Sequence, residues 1–238
     1  MPNTERDRKE HIRHIQEWLC LHGYWVVIDG ILGPATEEAL ERFQRSFMPL
    51  HVTGQDDDDT VIALTKPARN AICPSLRPPA GLTYSAMVAW CAGKHWRQHP
   101  REVGGQNRGP WVRLYMDGVE GQPWCAGFVS YIIKQAAELL KIEPPIAGSV
   151  SCEELAKQAM IARIPQGPPA STLPVPGSIM LVRGGPHRYN HCGIVVSSTD
   201  ETFETIEGNT NDSGSREGYE VCKRIRSYTG KDFICWKS

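Results

Sequence analysis

The apolar residues of this chain change their period once, near Ser178, and that switch constrains its fold more than any other feature. Before it they recur at helical spacing. After it, Ser178 to Val182, Cys192 to Ser197, Thr202 to Ile206, Tyr219 to Ile225 and Phe233 to Lys237 read as short strands separated by Gly, Pro, Asn and Asp turns. Helices first and strands second predict an α+β fold, with helices packed on an antiparallel sheet.

The helical part divides again. A first unit, residues 1–66, has apolar spacing at Ile12, Ile15, Trp18 and Leu19, then the turn-rich Asp29-Gly30-Ile31-Leu32-Gly33-Pro34. A second helix follows, with Pro34 at its start and a stripe of Ala39, Leu40, Phe43 and Phe47, and a third begins near Thr60. The acidic run Asp56 to Asp59 lacks the spacing of a calcium loop and reads as capping and dipole compensation for that third helix. Pro67, Pro74, Pro78 and Pro79 predict an extended linker over 67–82. A second domain over 83–238 then starts with a helix from Tyr84 to about Gln98 and an irregular Gly-rich segment. A helix at Cys125 and another opened by Ser151-Cys152-Glu153-Glu154, a capping-box pattern, complete it before the strands.

A net charge of −1, with no dense Lys/Arg run, gives no electrostatic footprint for nucleic acid. The apolar runs are too short to span a bilayer, and the charged start from Met1 to Ile12 does not read as a signal peptide. The eight cysteines, Cys20, Cys73, Cys91, Cys125, Cys152, Cys192, Cys222 and Cys235, are scattered without a Cys-x-x-Cys pair. That fits synthesis in the reducing cytosol and offers no zinc-ligand spacing, so no cofactor is expected.

Chemistry centres on Pro123-Trp124-Cys125-Ala126-Gly127-Phe128-Val129. Phe128, Ile132, Ala136, Leu139 and Leu140 form the buried stripe of a helix that starts at Cys125, where unpaired N–H groups and the helix dipole favour thiolate over thiol. Of eight histidines only His187 and His191 fall in the strand region. His191, at the mouth of the strand Cys192 to Val196, is the expected base. Glu207 and Asn209, at the end of the next strand, are the candidates to accept the imidazole N–H and fix its tautomer; the alternative is that both cap a turn.

The order cysteine before a helix, histidine at a strand start and glutamate at the next strand's end resembles papain-like hydrolases. Residues from about Glu102 to Ile225 resemble a CHAP domain, the cysteine, histidine-dependent amidohydrolase/peptidase family. The residues that carry this are Glu102, Asn107-Arg108-Gly109-Pro110-Trp111-Val112, the Cys125 segment, Pro176-Gly177-Ser178-Ile179, His191-Cys192-Gly193-Ile194-Val195 and Ile206-Glu207-Gly208-Asn209; Ser178 stands where the family commonly has Asp. The resemblance implies Cys125 as nucleophile, His191 as base, Glu207 as orienting group and Asn209 as a secondary polar contributor. Some relatives bind calcium through an Asp-rich loop ahead of the cysteine. Here that loop holds only Asp117 and Glu120, so no metal is expected.

The first unit resembles the small helical peptidoglycan-binding module. The resemblance rests on Ile15-Gln16-Glu17-Trp18-Leu19, Gly23-Tyr24, Asp29 through Thr36, Ala39-Leu40, Phe43-Gln44 and Gly54. The two resemblances imply a peptidoglycan hydrolase, an amidase or endopeptidase similar to phage endolysins and secreted antibacterial amidases. Peptidoglycan is the expected partner, with an immunity protein or delivery machinery beside it. Without an export signal, such a protein would reach the periplasm or cell wall by holin-type release or contractile delivery. Trp124, Trp18, Tyr24 and Trp25 are the candidate substrate contacts, core packing being the alternative for Trp18. A wall-binding protein with an unreactive second domain and a cysteine protease or deamidase acting on proteins are the rival readings.

Overall fold

The computed structural model describes residues 4–73, 78–167, 173–184, 188–211 and 218–236. Helix α1 (Glu5–Leu21) begins at a full capping box, Thr4 and Asp7 each satisfying the other's backbone N–H, and buries Ile12, Ile15, Trp18 and Leu19. Helix α2 (Pro34–Ser46) takes Pro34 in its first turn and buries Ala39, Leu40 and Phe43. Helix α3 (Asp58–Leu64) is capped by Asp57, whose side chain accepts the Thr60 N–H, while Asp56 turns away to Arg8 and His11. Two buried glutamines fasten the loops between these helices. The side-chain oxygen of Gln16 accepts the N–H groups of Asp29 and Gly30, and that of Gln44 accepts those of Thr53 and Gly54.

The expected extended linker is helical in its first part. Helix α4 (Lys66–Ile72) places Pro67 in its first turn, where a missing N–H forfeits no intrahelical bond. It is also held from outside, because the Gln135 side chain donates to the Ala71 carbonyl at 3.0 Å. Helix α5 (Tyr84–Trp96) follows, and the segment expected to be irregular contains the short α6 (Pro110–Tyr115), again with proline in its first turn. Then come α7 (Cys125–Leu140) and α8 (Cys152–Ile161), the latter capped by Ser151.

Six strands form one antiparallel sheet in the order β1-β6-β2-β3-β4-β5: β1 (Gln166–Gly167), β2 (Ile179–Arg183), β3 (Tyr189–Ser198), β4 (Thr202–Thr210), β5 (Glu220–Ser227) and β6 (Lys231–Ile234). The two-residue β1 is too short to leave a period in the sequence. Alternation along β3 and β4 sends Cys192, Ile194 and Ile206 into the main core with Phe128, Val129 and Ile132 of α7. Met180, Val195, Phe203 and Phe233 form a smaller cluster of their own.

The main core is continuous from the N-terminal helices to the sheet. Trp18 meets Trp111 of α6 edge to face at 5.8 Å, the Arg101 guanidinium donates to the Leu21 carbonyl at 2.8 Å, and Arg113 pairs with the buried Glu17. The two parts are therefore welded by packing and by a charge pair. Trp111→Ala should cost about 3–5 kcal/mol, as expected for a fully buried tryptophan. It should lower the urea midpoint of a single transition shared by both parts; two separate transitions in the wild type would contradict the shared core.

Candidate active site

Cys125 is the first residue of α7, preceded by Trp124, which lies at the N-cap without offering a side-chain cap. The leading N–H groups of a helix have no intrahelical acceptor, so Cys125 stands at the positive end of α7. Trp124 fixes this end of the helix. Its indole N–H donates to Glu102 at 2.8 Å, and its ring stacks on Tyr115 at 5.6 Å.

His191 is the third residue of β3 and Glu207 lies within β4, which runs on to Thr210. The imidazole Nε2 and a Glu207 carboxylate oxygen are 2.7 Å apart, both buried. With Nε2 so engaged, Nδ1 is left without a hydrogen bond of regular geometry and interacts electrostatically with Cys125. The carboxylate is held by more than the histidine. Arg226 donates to its two oxygens at 2.9 and 2.6 Å, and the Thr205 hydroxyl donates at 2.5 Å.

Two glycines make this approach possible. A Cβ on Gly193 would lie 2.5 Å from the Glu207 Cγ, so the side chain that orients His191 crosses over a bare backbone. A Cβ on Gly208 would come within 2.7 Å of Phe128 and 2.8 Å of Trp124, so β4 presses on α7 at the residue after Glu207. Gly193→Ala should push Glu207 off His191 and lower turnover while leaving the sheet intact, a result checked by kcat alongside a circular dichroism spectrum.

The electrostatics favour an ion pair at rest. Side-chain hydrogen bonds from Cys152 and then Cys192 hold the Cys125 thiol well below its ordinary range, and the charge of His191 adds to them against burial. Burial pulls the His191 imidazole down, but the negative Cys125 and then Glu207 outweigh it and raise the imidazole to about 10. Burial pushes Glu207 up, and its bonds to His191 and Arg226 bring it down to about 2. Its stabilising contribution is complete above about pH 4.5 and disappears as pH falls through about 2. Glu207→Gln should lose that acid dependence in a pH titration of unfolding. Its turnover should fall by roughly 10²-fold, because the neutral amide supports the imidazolium less well; unchanged turnover would move the orienting role to Asn209.

Residues 116–209 match the family model of the CHAP domain, and residues 8–64 match that of a peptidoglycan-binding domain. The chain carries a peptidoglycan-binding domain followed by a CHAP domain. No curated protein and no solved structure matches it. The CHAP domain is papain-like, and the domain pair is that of a peptidoglycan-related hydrolase acting on the cell wall. Among the described residues no helix is long and apolar enough to cross a membrane.

Within the CHAP domain the structure brings Cys125, His191 and Glu207 together. Asn209 is buried two residues beyond Glu207 at φ 54°, where β4 shifts register against β5 between Glu207 and Thr210. Asparagine tolerates this left-handed conformation better than most residues. His187 lies outside the described residues. Glu120, ahead of the cysteine, is engaged by the Arg113 guanidinium and the Gly109 N–H.

Two expected substrate contacts are corrected. Trp18 is 3% exposed because its helix face is covered by Trp111, and Trp124 is fully buried on Tyr115 and Glu102. Tyr24 is partly covered, with Phe43 edge-on and its hydroxyl 2.5 Å from Ser46, whereas Trp25 is 75% exposed. Arg226 was absent from the expected site and lies beyond the matched span. The signal for it is the alternation of β5: the expected strand stopped at Ile225, one residue short.

Proposed function

We propose that this chain is a peptidoglycan hydrolase that cuts an amide bond with the thiolate of Cys125. Residues 1–66 serve as the wall anchor and residues 83–238 as the catalytic unit. The observation that carries the reading is the buried His191–Glu207 contact beside a cysteine at the start of α7, inside a chain that also has a peptidoglycan-binding domain. The thiolate attacks the carbonyl carbon, and the oxyanion that forms accepts from the Cys125 backbone N–H. The imidazolium of His191 passes its proton to the departing amine, leaving a thioester. Neutral His191 then takes a proton from water as it attacks the thioester, and the acid product leaves as the thiolate–imidazolium pair is restored. Glu207 keeps the ring in one tautomer throughout. Trp25, with Tyr24 beside it, is the aromatic surface we assign to glycan contact.

The bond is either the link between the lactyl group of N-acetylmuramic acid and L-alanine or a peptide bond in the stem or cross-bridge. Mass spectrometry of fragments released from purified sacculi decides between them. Free stem peptides without muramic acid make the protein an amidase, and shortened or uncross-linked muropeptides make it an endopeptidase. No soluble release would overturn the hydrolase reading. On this reading the protein acts in the periplasm or wall. A neighbouring holin gene would mark an endolysin, and a neighbouring immunity gene a delivered toxin.

A further inference from the structure

Three of the eight cysteines meet at one point. The sulfurs of Cys125, Cys152 and Cys192 all lie within 4.8 Å of one another and all three residues are buried. Cys125 and Cys152 are 3.8 Å apart. Each of these two is the first residue of its helix, α7 and α8, so two positive helix ends converge on the sulfurs; Cys192 comes from β3. A tetrahedral ion with metal–sulfur bonds of about 2.3 Å spaces its sulfurs about 3.8 Å apart, which is the separation of the first pair. Two thiols in hydrogen-bond contact have the same separation, and it is the third buried sulfur that makes a ligand set.

A second observation points into the same place. Nδ1 of the buried His191 has no regular hydrogen bond, Nε2 is bound to Glu207, and the His191 side chain interacts with Cys125. The imidazolium of the resting pair therefore lies beside one sulfur of the cluster, where its charge offsets the net negative charge of a divalent ion held by three thiolates. Arg226 and Thr205 fix the Glu207 carboxylate in turn.

We propose that Cys125, Cys152 and Cys192 form a binding site for one thiophilic d¹⁰ cation, with zinc(II) as the ion of choice and solvent in the fourth position. Binding converts the Cys125 thiolate and the Cys152 and Cys192 thiols into three metal-bound thiolates and releases two protons. The metal is not a catalytic cofactor. It occupies the nucleophile, so the loaded protein is latent and a chelator restores it. Ion binding stands independently of the hydrolase reading, whereas latency rests on it.

The test is titration of the full-length, reduced protein with Zn²⁺ against a chromophoric chelator, and with Co²⁺ read by its absorption spectrum. One equivalent of Zn²⁺ should bind, and Co²⁺ should give thiolate charge-transfer bands with tetrahedral visible bands. Cys152→Ser and Cys192→Ser should each weaken binding by more than the roughly 10- to 100-fold that outer-shell partners contribute. Cys73→Ser, at an exposed cysteine outside the cluster, should bind as the wild type does. Absence of binding, or equal affinity in wild type and both cluster variants, would overturn the proposal. Should a cluster variant fail to fold, the cobalt spectrum of the wild type decides alone: bands without thiolate charge transfer count against the site. Zinc binding by a protein that, once freed of metal by the chelator, still releases nothing from sacculi would leave this site standing and remove only the hydrolase reading.

Discussion

Cys125→Ala should reduce release of soluble wall fragments by a factor on the order of 10⁴ or more, while the protein still sediments with sacculi as the wild type does. The size of the loss follows from chemistry. Without the sulfur there is no thioester, and His191 loses the thiolate that keeps it protonated for the departing amine. The fold should survive, because alanine at the first position of α7 is a good helix former and the stripe below it, from Phe128 to Ala136, is untouched. Wall binding is assigned to the exposed face of the N-terminal domain around Trp25, away from the sulfur. A Cys125→Ala protein that still lyses sacculi would remove the nucleophile assignment. One that neither lyses nor binds would show that the two parts fail together, and the variant's melting curve would then be the relevant reading.

Arg226→Met is expected to be the costliest change among the residues that hold Glu207. Methionine fills much of the same length but withdraws both guanidinium bonds from Glu207, a carboxylate whose side chain is completely buried. Breaking a buried pair from one side strands the other charge, at about 3–5 kcal/mol. The lower part of that range applies here, because the Arg226 side chain is 21% exposed and Thr205 and His191 remain as partners. The stranded carboxylate should titrate higher, so the acid limb of the pH–rate profile should move up as the urea midpoint falls. Arg226→Lys should recover the charge without the two-pronged bond and fall between the two. A variant with wild-type stability and profile would mean that His191 and Thr205 alone hold Glu207.

The residues proposed to react were legible as candidates because each sits at a boundary that sequence pattern can locate: a cysteine before an apolar stripe, a histidine near the start of a β run, a glutamate near the end of the next. What orients them was less visible. Arg226 is one residue past the expected end of a strand whose exposed positions carry charge anyway, and only the register of β5 on β4 brings it to Glu207. Trp18 misled for a different reason. A helical stripe records that a face is covered and not by what, so packing on Trp111 and stacking on a sugar leave the same pattern. The proline-rich segment read as extended because composition counts prolines without their helix position, and Pro67 stands where a helix accepts one. The meeting of Cys125, Cys152 and Cys192 leaves no sequence spacing, since it is made by two helix starts and one strand.

The edge-to-face tryptophans and the Glu17–Arg113 pair also decide how the protein can use its anchor. A module on a flexible tether raises the local concentration of its enzyme over a whole sphere of nearby bonds, diluting the benefit among them. A module bolted on through a shared core concentrates that benefit at one distance and one bearing from the bound glycan. On the proposed function such a protein would work as a gauge: once seated, it would offer its thiolate only to the bonds that the spacing of the wall brings to that position.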